Sequence, residues 1–376
     1  MTMKKIVSTL HWLPHYLWRG CMRNLIRKPS RPKYVHFCIC DHFEPYWNRS
    51  SGTVARKRIQ KWIDEYPKVA DRHLDSKGEV LKYSFFYPEE EYRVEDMNAL
   101  AELCHVGYGE VEVHIHHDND TADNLRRTLL DYKRRLHERH GLLSIDRMSG
   151  DIAYGFIHGN WALDNSRPDG RWCGVNNEIS VLLETGCYAD FTMPSAPCPT
   201  QTRKVNSIYR AIDDPAKPKS HDWGADVHVG SGNEGLLMVQ GPLGLNWSRR
   251  KLWLLPRIDD SGLMASNPLS RERVRIWLAQ GIHVKGAEEH IFVKLHAHGT
   301  QESTLRMFFA DKGLERLLAQ ISSEVREMGA ELHFTSAREM ANSILALAEG
   351  SQAAPGTLRD WRYQRPGASV LKVAGA

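Results

Sequence analysis

The sequence predicts an α/β fold, and within that class a β/α barrel, on three observations. Apolar, β-rich runs alternate with amphipathic helical stretches through most of the 376 residues, the pattern of parallel strands covered by helices. Polar clusters follow the strands directly, at Asp41/His42, residues 114–118, His158/Asn160, Ser195 and His296/His298, and a β/α barrel gathers its strand ends on one face. No glycine-rich phosphate loop follows the first strand, where an open dinucleotide-binding sheet would carry one.

The elements follow in order. Residues 34–40 are apolar and β-rich and stop at Asp41-His42-Phe43-Glu44-Pro45. A helix over 54–72 places Ile59, Trp62, Ile63, Tyr66 and Val69 near helical spacing. A second strand over 80–87 ends at Pro88, and a short helix around 97–104 precedes the third strand. Thr121 reads as an N-cap and Gly141 as the end of a helix striped by Leu125, Leu129, Tyr132 and Leu136. Strands at 153–157 and 189–193 bracket a helix at 177–184. The pattern blurs from 198 to 268, where only 235–240 and 252–255 look like strands. Order returns with a helix at 270–280, a strand at 290–295, a helix striped by Leu314, Leu317, Leu318, Ile321 and Val325, a short strand at 331–334, and a helix capped by Ser336. The expected organisation is an N-terminal basic and aromatic segment over 1–33, a barrel domain over 34–350 with an irregular insertion around 198–268, and a flexible tail over 351–376.

Composition narrows the function classes. A net charge of +4, with basic residues scattered among acidic ones, argues against a nucleic-acid partner. Seven cysteines without a Cys-x-x-Cys pair do not form a disulfide framework and suit a reducing, cytoplasmic setting. Residues 10–26 are too short and too polar to span a bilayer. Trp12, Trp18, Arg19, Arg23, Arg27 and Lys28 fit either peripheral contact with an anionic membrane face or a helix packed against the domain.

The third strand carries the chemistry. In residues 110–120, Glu and His alternate with Val and Ile, then His114, His116, His117, Asp118 and Asp120 gather where the strand gives way to a loop. Neutral imidazoles and a carboxylate suit a borderline divalent ion, and can leave one position open for water. His117 faces opposite to His114 and His116 if the strand continues.

These residues resemble a divergent polysaccharide deacetylase of the carbohydrate esterase family, which has an incomplete, seven-strand-type β/α barrel. Ile39-Cys40-Asp41-His42-Phe43 stands where the family carries Thr-Phe-Asp-Asp-Gly. The resemblance makes Asp41 the catalytic base and puts His42 in place of a metal-binding carboxylate. Glu110-Val111-Glu112-Val113-His114 matches the approach to the family's metal-binding His pair, with Asp118 four residues on. The implied ligands are His42 and His114, completed by Asp118 or His116. Leu295-His296-Ala297-His298 matches the Leu-x-His motif, which makes His296 the general acid and Leu295 the acyl-pocket wall, with His298 in a looser register. His158, Asn160 and Trp161 occupy the place of the family's Arg motif and would line the sugar site. His221-Asp222-Trp223 resembles its Asp-Trp element weakly.

The resemblance implies hydrolysis of an N-acetyl group on a sugar or polysaccharide precursor, with a divalent cofactor: zinc first, then iron, cobalt or nickel. It also implies a place in bacterial surface-polysaccharide biosynthesis, at or near the inner membrane face. Three readings compete. His114-Ile115-His116 is a His-x-His of the amidohydrolase and phosphoesterase kind, Asp41, Glu44 and Asp118 are the carboxylates a glycosidase would need, and a degenerate barrel would only bind glycan.

Overall fold

The computed structural model describes residues 3–26, 31–251 and 254–366. Eight strands stand close to where the alternation places them: β1 (Tyr34–His42), β2 (Tyr83–Pro88), β3 (Gly109–Ile115), β4 (Ile152–His158), β5 (Cys187–Asp190), β6 (Leu236–Val239), β7 (His290–Ala297) and β8 (Glu331–Phe334). Hydrogen bonding orders them β7-β1-β2-β3-β4-β5-β6, all parallel. β8 pairs with β1 at Tyr34–Phe37, and β2 takes over that edge at Cys40–His42. The antiparallel strand Ile208–Ala211 extends the sheet beyond β6, and Gly262–Leu263 lies beside β7.

Alternation along each strand divides the side chains between two faces. Val35, Phe37, Ile39, Val111, Val113, Val293 and Leu295 join one apolar cluster with Trp62, Leu100, Leu129, Ile179 and Leu317 from the covering helices. Helices on both faces begin at side-chain caps. Ser51 accepts from Val54 N ahead of Gly52–Ala70, Thr121 accepts from Asn124 N ahead of Ala122–His140, and Ser336 with Glu339 forms a reciprocal capping box.

The opposite face is polar for its depth. It carries His36, Cys38, Cys40 and His42 from β1, Glu110, Glu112 and His114 from β3, and Lys294 from β7, all buried. The charges are paired. Arg338 makes a forked contact to Glu110, with Nη2 2.8 Å from Oε1 and Nε 3.0 Å from Oε2, while Tyr188 Oη and Gly155 N donate to Glu112. Helix Ala337–Ala348 packs on this face with every residue buried.

The sheet is curled but not closed. Lys294 Nζ donates to the carbonyls of Phe191 and Met193 at 2.7 Å each. Those residues follow β5, five strands from β7, a separation of about 24 Å in a flat sheet, so β5 and β7 must bend toward one another. No ladder of strand hydrogen bonds completes a ring among the described residues. What the fold shows is a mixed α/β architecture with one large, mostly parallel sheet.

Beyond this frame, helix Met3–Ile26 buries Trp12 against Ala196, Val205 and Leu243. Ser8 Oγ donates to Cys198 O at 2.8 Å, and His11 pairs with Asp222 at 3.0 Å. The packed-helix expectation therefore holds for this face, while Leu10, Leu17 and Trp18 remain exposed. Arg27 and Lys28 lie outside the described residues, as do 252 and 253 of the strand expected at 252–255. Within the irregular insertion, Gly244–Lys251 and Leu255–Asp259 pair antiparallel. The tail is not loose as far as 366: Tyr363–Gln364 pairs with Ser144–Asp146, and Arg338 Nη1 donates to Tyr363 O at 2.7 Å. No described helix is long and apolar enough to cross a membrane.

Candidate metal centre

Glu44, two residues beyond β1, is the hub of the strongest cluster of potential ligands. His42 and His298 share one group of converging donor atoms with it, and His114 and His116 share another, each group spanning no more than 4.8 Å. His114 Nε2 and His116 Nε2 both lie 3.3 Å from Glu44 Oε1, and His298 Nδ1 lies 3.4 Å from Oε2. The parallel topology produces this meeting, because β1, β3 and β7 all end at the same edge of the sheet.

The outward-facing nitrogens of two of these rings are already committed. His114 Nδ1 donates to Ile157 O at 2.8 Å, so Nε2 of the neutral ring presents its lone pair to the cluster. His116 Nδ1 meets Glu90 Oε1 at 2.5 Å. A carbonyl or carboxylate holding the far nitrogen is the usual support of a metal-bound imidazole. His42 Nε2 is buried with no hydrogen-bond partner, an orphan that a cation would satisfy. Burial keeps His42 neutral by driving its pKa well below the ordinary value, helped by the neighbouring His298. Burial works to raise the Glu44 carboxyl, but the imidazoles around it, His116 and His298 among them, hold it well below the usual carboxylate range. These residues fit a divalent ion.

The cluster forms the floor of a cavity of about 590 Å³ whose lining includes Tyr46, Trp47, Glu91, Asn160, Trp161 and Gln301. Trp161 stands edge-on to His298, with ring centroids 6.0 Å apart. Burial pushes the Glu91 carboxyl up to about 7, against the hydrogen bond it accepts from Tyr46 N at 2.8 Å. A larger hollow of about 770 Å³ lies between the N-terminal helix and Arg203, Lys204 and Trp223, and none of the described metal-ligand groups falls there.

Of the residues singled out in the sequence, His42, His114 and His116 come together as potential ligands. His298, expected to touch substrate, joins them, and Asn160 and Trp161 line the cavity. Four residues lie elsewhere. Asp118 is exposed in the loop and accepts from Trp172 N at 2.6 Å, because the strand ends at Ile115 and the chain turns away. Asp41 faces the covering helices, as its odd position in β1 requires. Its carboxylate accepts from Gly299 N at 2.8 and 3.0 Å and from Tyr83 Oη at 2.6 Å, and burial raises it to about 6. Leu295 shares that face and sits in the helix-side core instead of an acyl pocket. His158 is buried on the same side and meets His117, with its ring away from the cavity. His296 keeps the cluster's side of the sheet, its ring centroid 6.4 Å from that of His42. Its Nδ1 has no partner, and burial drives its pKa well below the ordinary value.

Glu44 was visible in sequence as a carboxylate before Pro45 that a glycosidase could use, not as a metal ligand. Glu90 and Glu91 were missed, although the acidic run Glu89-Glu90-Glu91 follows β2 directly, the same strand-end signal that marked the other clusters. No model of a known protein family matches the chain, and no curated protein matches it.

Proposed function

We propose that this protein is a metal-dependent hydrolase that removes an N-acetyl or related acyl group from a sugar, on a curled sheet of the incomplete-barrel type. The observation that carries the reading is the convergence of His42, His114, His116 and His298 on buried Glu44, beneath a cavity bordered by Trp47 and Trp161. A divalent ion held there would supply carbonyl polarisation and water activation, the two requirements of amide hydrolysis. Imidazole and carboxylate donors suit zinc first, with iron, cobalt and nickel as alternatives.

The chain's own residues supply the rest. Trp47 and Trp161 offer aromatic faces for a sugar ring, and Asn160 an amide for its hydroxyls. Glu91, with a carboxyl near neutrality at the cavity wall, can take up or release a proton at working pH. His296 stays neutral beneath the cluster, and Asp41 holds the turn that presents His298. The substrate is an N-acetylated sugar or polysaccharide precursor. The exposed Leu10, Leu17 and Trp18 support peripheral contact with a membrane, and free cysteines throughout the described chain suit a cytoplasmic setting.

A second reading has its own observation. His114 and His116 share Glu44 while Asp118 lies outside the cluster, a His-x-His arrangement that suits an amidohydrolase or phosphoesterase.

Metal content of protein purified without chelator or affinity tag, beside His114→Ala, is the first test. Bound metal lost in the variant, followed by acetate release from N-acetylated sugars, supports the deacetylase. Phosphate release from a phosphomonoester panel without acetate release favours the second reading. Absence of metal even after zinc or iron is added ends both.

A further inference from the structure

A second cluster lies behind the first, and its ligands are of a different kind. His117, His158, Cys173 and Glu178 present four donor atoms within 4.8 Å of one another, and all but His117 are buried. His117 Nε2 and His158 Nε2 face each other at 2.8 Å. Glu178 Oε1 lies 3.3 Å from the first and 3.5 Å from the second, yet makes no hydrogen bond in a fully buried position.

The outer bonds of all four side chains point the same way. His158 Nδ1 donates to Gly159 O at 2.6 Å, and His117 Nδ1 bonds Asp120 Oδ2 at 3.1 Å. Both Nδ1 atoms therefore carry protons, and with neutral rings the two Nε2 lone pairs would be aimed at one point. Asp164 N donates to Glu178 Oε2 at 2.6 Å, leaving Oε1 turned inward. The amides of Asn165 and Val175 donate to Cys173 Sγ at 3.3 and 3.4 Å, while burial holds the thiol protonated and it donates to Glu178 Oε2 at 3.4 Å until a cation takes the proton's place. A proton between the two imidazoles would join that pair at 2.8 Å and reach Glu178 Oε1 only at 3.3 Å, without engaging Cys173. A cation satisfies all four donors at once, with outer-shell support for each.

We propose that His117, His158, Cys173 and Glu178 form a structural zinc site, separate from the centre at Glu44. The His₂-Cys-Glu set leaves no position for substrate when the shell is tetrahedral, which is the mark of a structural rather than a catalytic ion. Small rotamer adjustments close a shell with bonds of about 2.0–2.3 Å. On binding, the Cys173 thiol loses its proton to solvent as the sulfur–zinc bond forms.

The site has work to do. Between His158 and Glu178 the chain holds Asn160, Trp161, Asp164, Asn165 and Trp172 at positive φ, from 51° to 68°. Non-glycine residues persist in that region only where their surroundings over-determine them. Zinc would tie the start of this loop, at His158, to its end, at Cys173 and Glu178, and so present Asn160 and Trp161 to the cavity. The inference does not depend on what the cavity hydrolyses.

The test is a cobalt(II) titration of the metal-free, full-length protein, read by the thiolate-to-cobalt charge-transfer band in the near ultraviolet. Wild type is expected to develop the band, Cys173→Ser to lose it and His114→Ala to keep it. That last arm separates this site from the one at Glu44. No band in wild type, or a band undiminished in Cys173→Ser, overturns the proposal. Should Cys173→Ser fail to fold, X-ray absorption of the zinc-loaded wild type decides. A sulfur neighbour at about 2.3 Å supports the site, and a shell of nitrogen and oxygen alone overturns it.

Discussion

His116 and His117 are adjacent in the chain and serve two different clusters. His116 Nδ1 meets Glu90 at 2.5 Å with Nε2 turned to Glu44, while His117 Nε2 meets His158 at 2.8 Å. The cause is the strand's alternation carried just past Ile115, which turns one imidazole inward and the next toward the helix side. A single loop thereby couples the cavity floor to the segment that carries Asn160 and Trp161.

Glu90 should tune the metal without binding it. Glu90→Gln is expected to weaken zinc at the Glu44 centre by about 10–100-fold, the usual cost of losing an outer-shell carboxylate. Competition with a chromophoric chelator measures this, and unchanged affinity would remove Glu90 from the site.

Gly159 permits the close approach of β4 to His116. A Cβ there would lie 2.3 Å from His116 Cδ2 and 2.7 Å from Ile115 O, and neither the ring, tethered to Glu90, nor the backbone gives way readily. Gly159→Ala should displace His116, at about 1–3 kcal/mol of stability, and lower metal occupancy. Full occupancy at wild-type stability would contradict the packing.

Asp41 is a positioning residue, since Gly299 N–H and Tyr83 Oη occupy its oxygens. Asp41→Asn should cost about 1–3 kcal/mol in urea unfolding through a lost or inverted hydrogen bond. The acid limb of the pH–rate profile should survive. Abolition of that limb in a stably folded variant would restore Asp41 as the base.

Trp161 should act in binding. Trp161→Ala is expected to raise KM for an N-acetylated sugar with kcat little changed, the pattern of an interaction made equally in the ground and transition states. An equal fall in kcat and kcat/KM would place Trp161 in the chemistry.

The buried Arg338–Glu110 pair makes stability depend on acid. Burial opposes ionisation of Glu110, but the Arg338 charge outweighs it and holds the carboxyl below its ordinary range. Its contribution is therefore complete above about pH 4.3, the unfolded value, and is lost as pH falls through the lower folded value. Arg338→Met should cost up to about 3–5 kcal/mol at pH 7 by removing the main partner of a buried charge, which keeps Ser336 and the more distant Arg365. The difference from wild type should narrow as the pH is lowered below 4, and a constant difference would deny the linkage.

The sequence by itself determined the parallel strands, their capped helices and which strand ends carry imidazoles, because hydrophobic period and cap chemistry are local properties. It also marked His42, His114 and His116 as potential metal ligands, since all three close or follow strands whose tips share one edge. Four assignments needed the fold. Asp41 and Leu295 look as eligible as their neighbours in sequence, but each lies one residue out of register with the inward face. Asp118 depended on where β3 stops, and His158 on which side of β4 its ring takes. Glu44 became the hub only when β1, β3 and β7 were brought together. The set of His117, His158, Cys173 and Glu178 spans 62 residues of chain with no repeating spacing. Such a set is written in no motif, because only tertiary packing decides which distant side chains share a point in space.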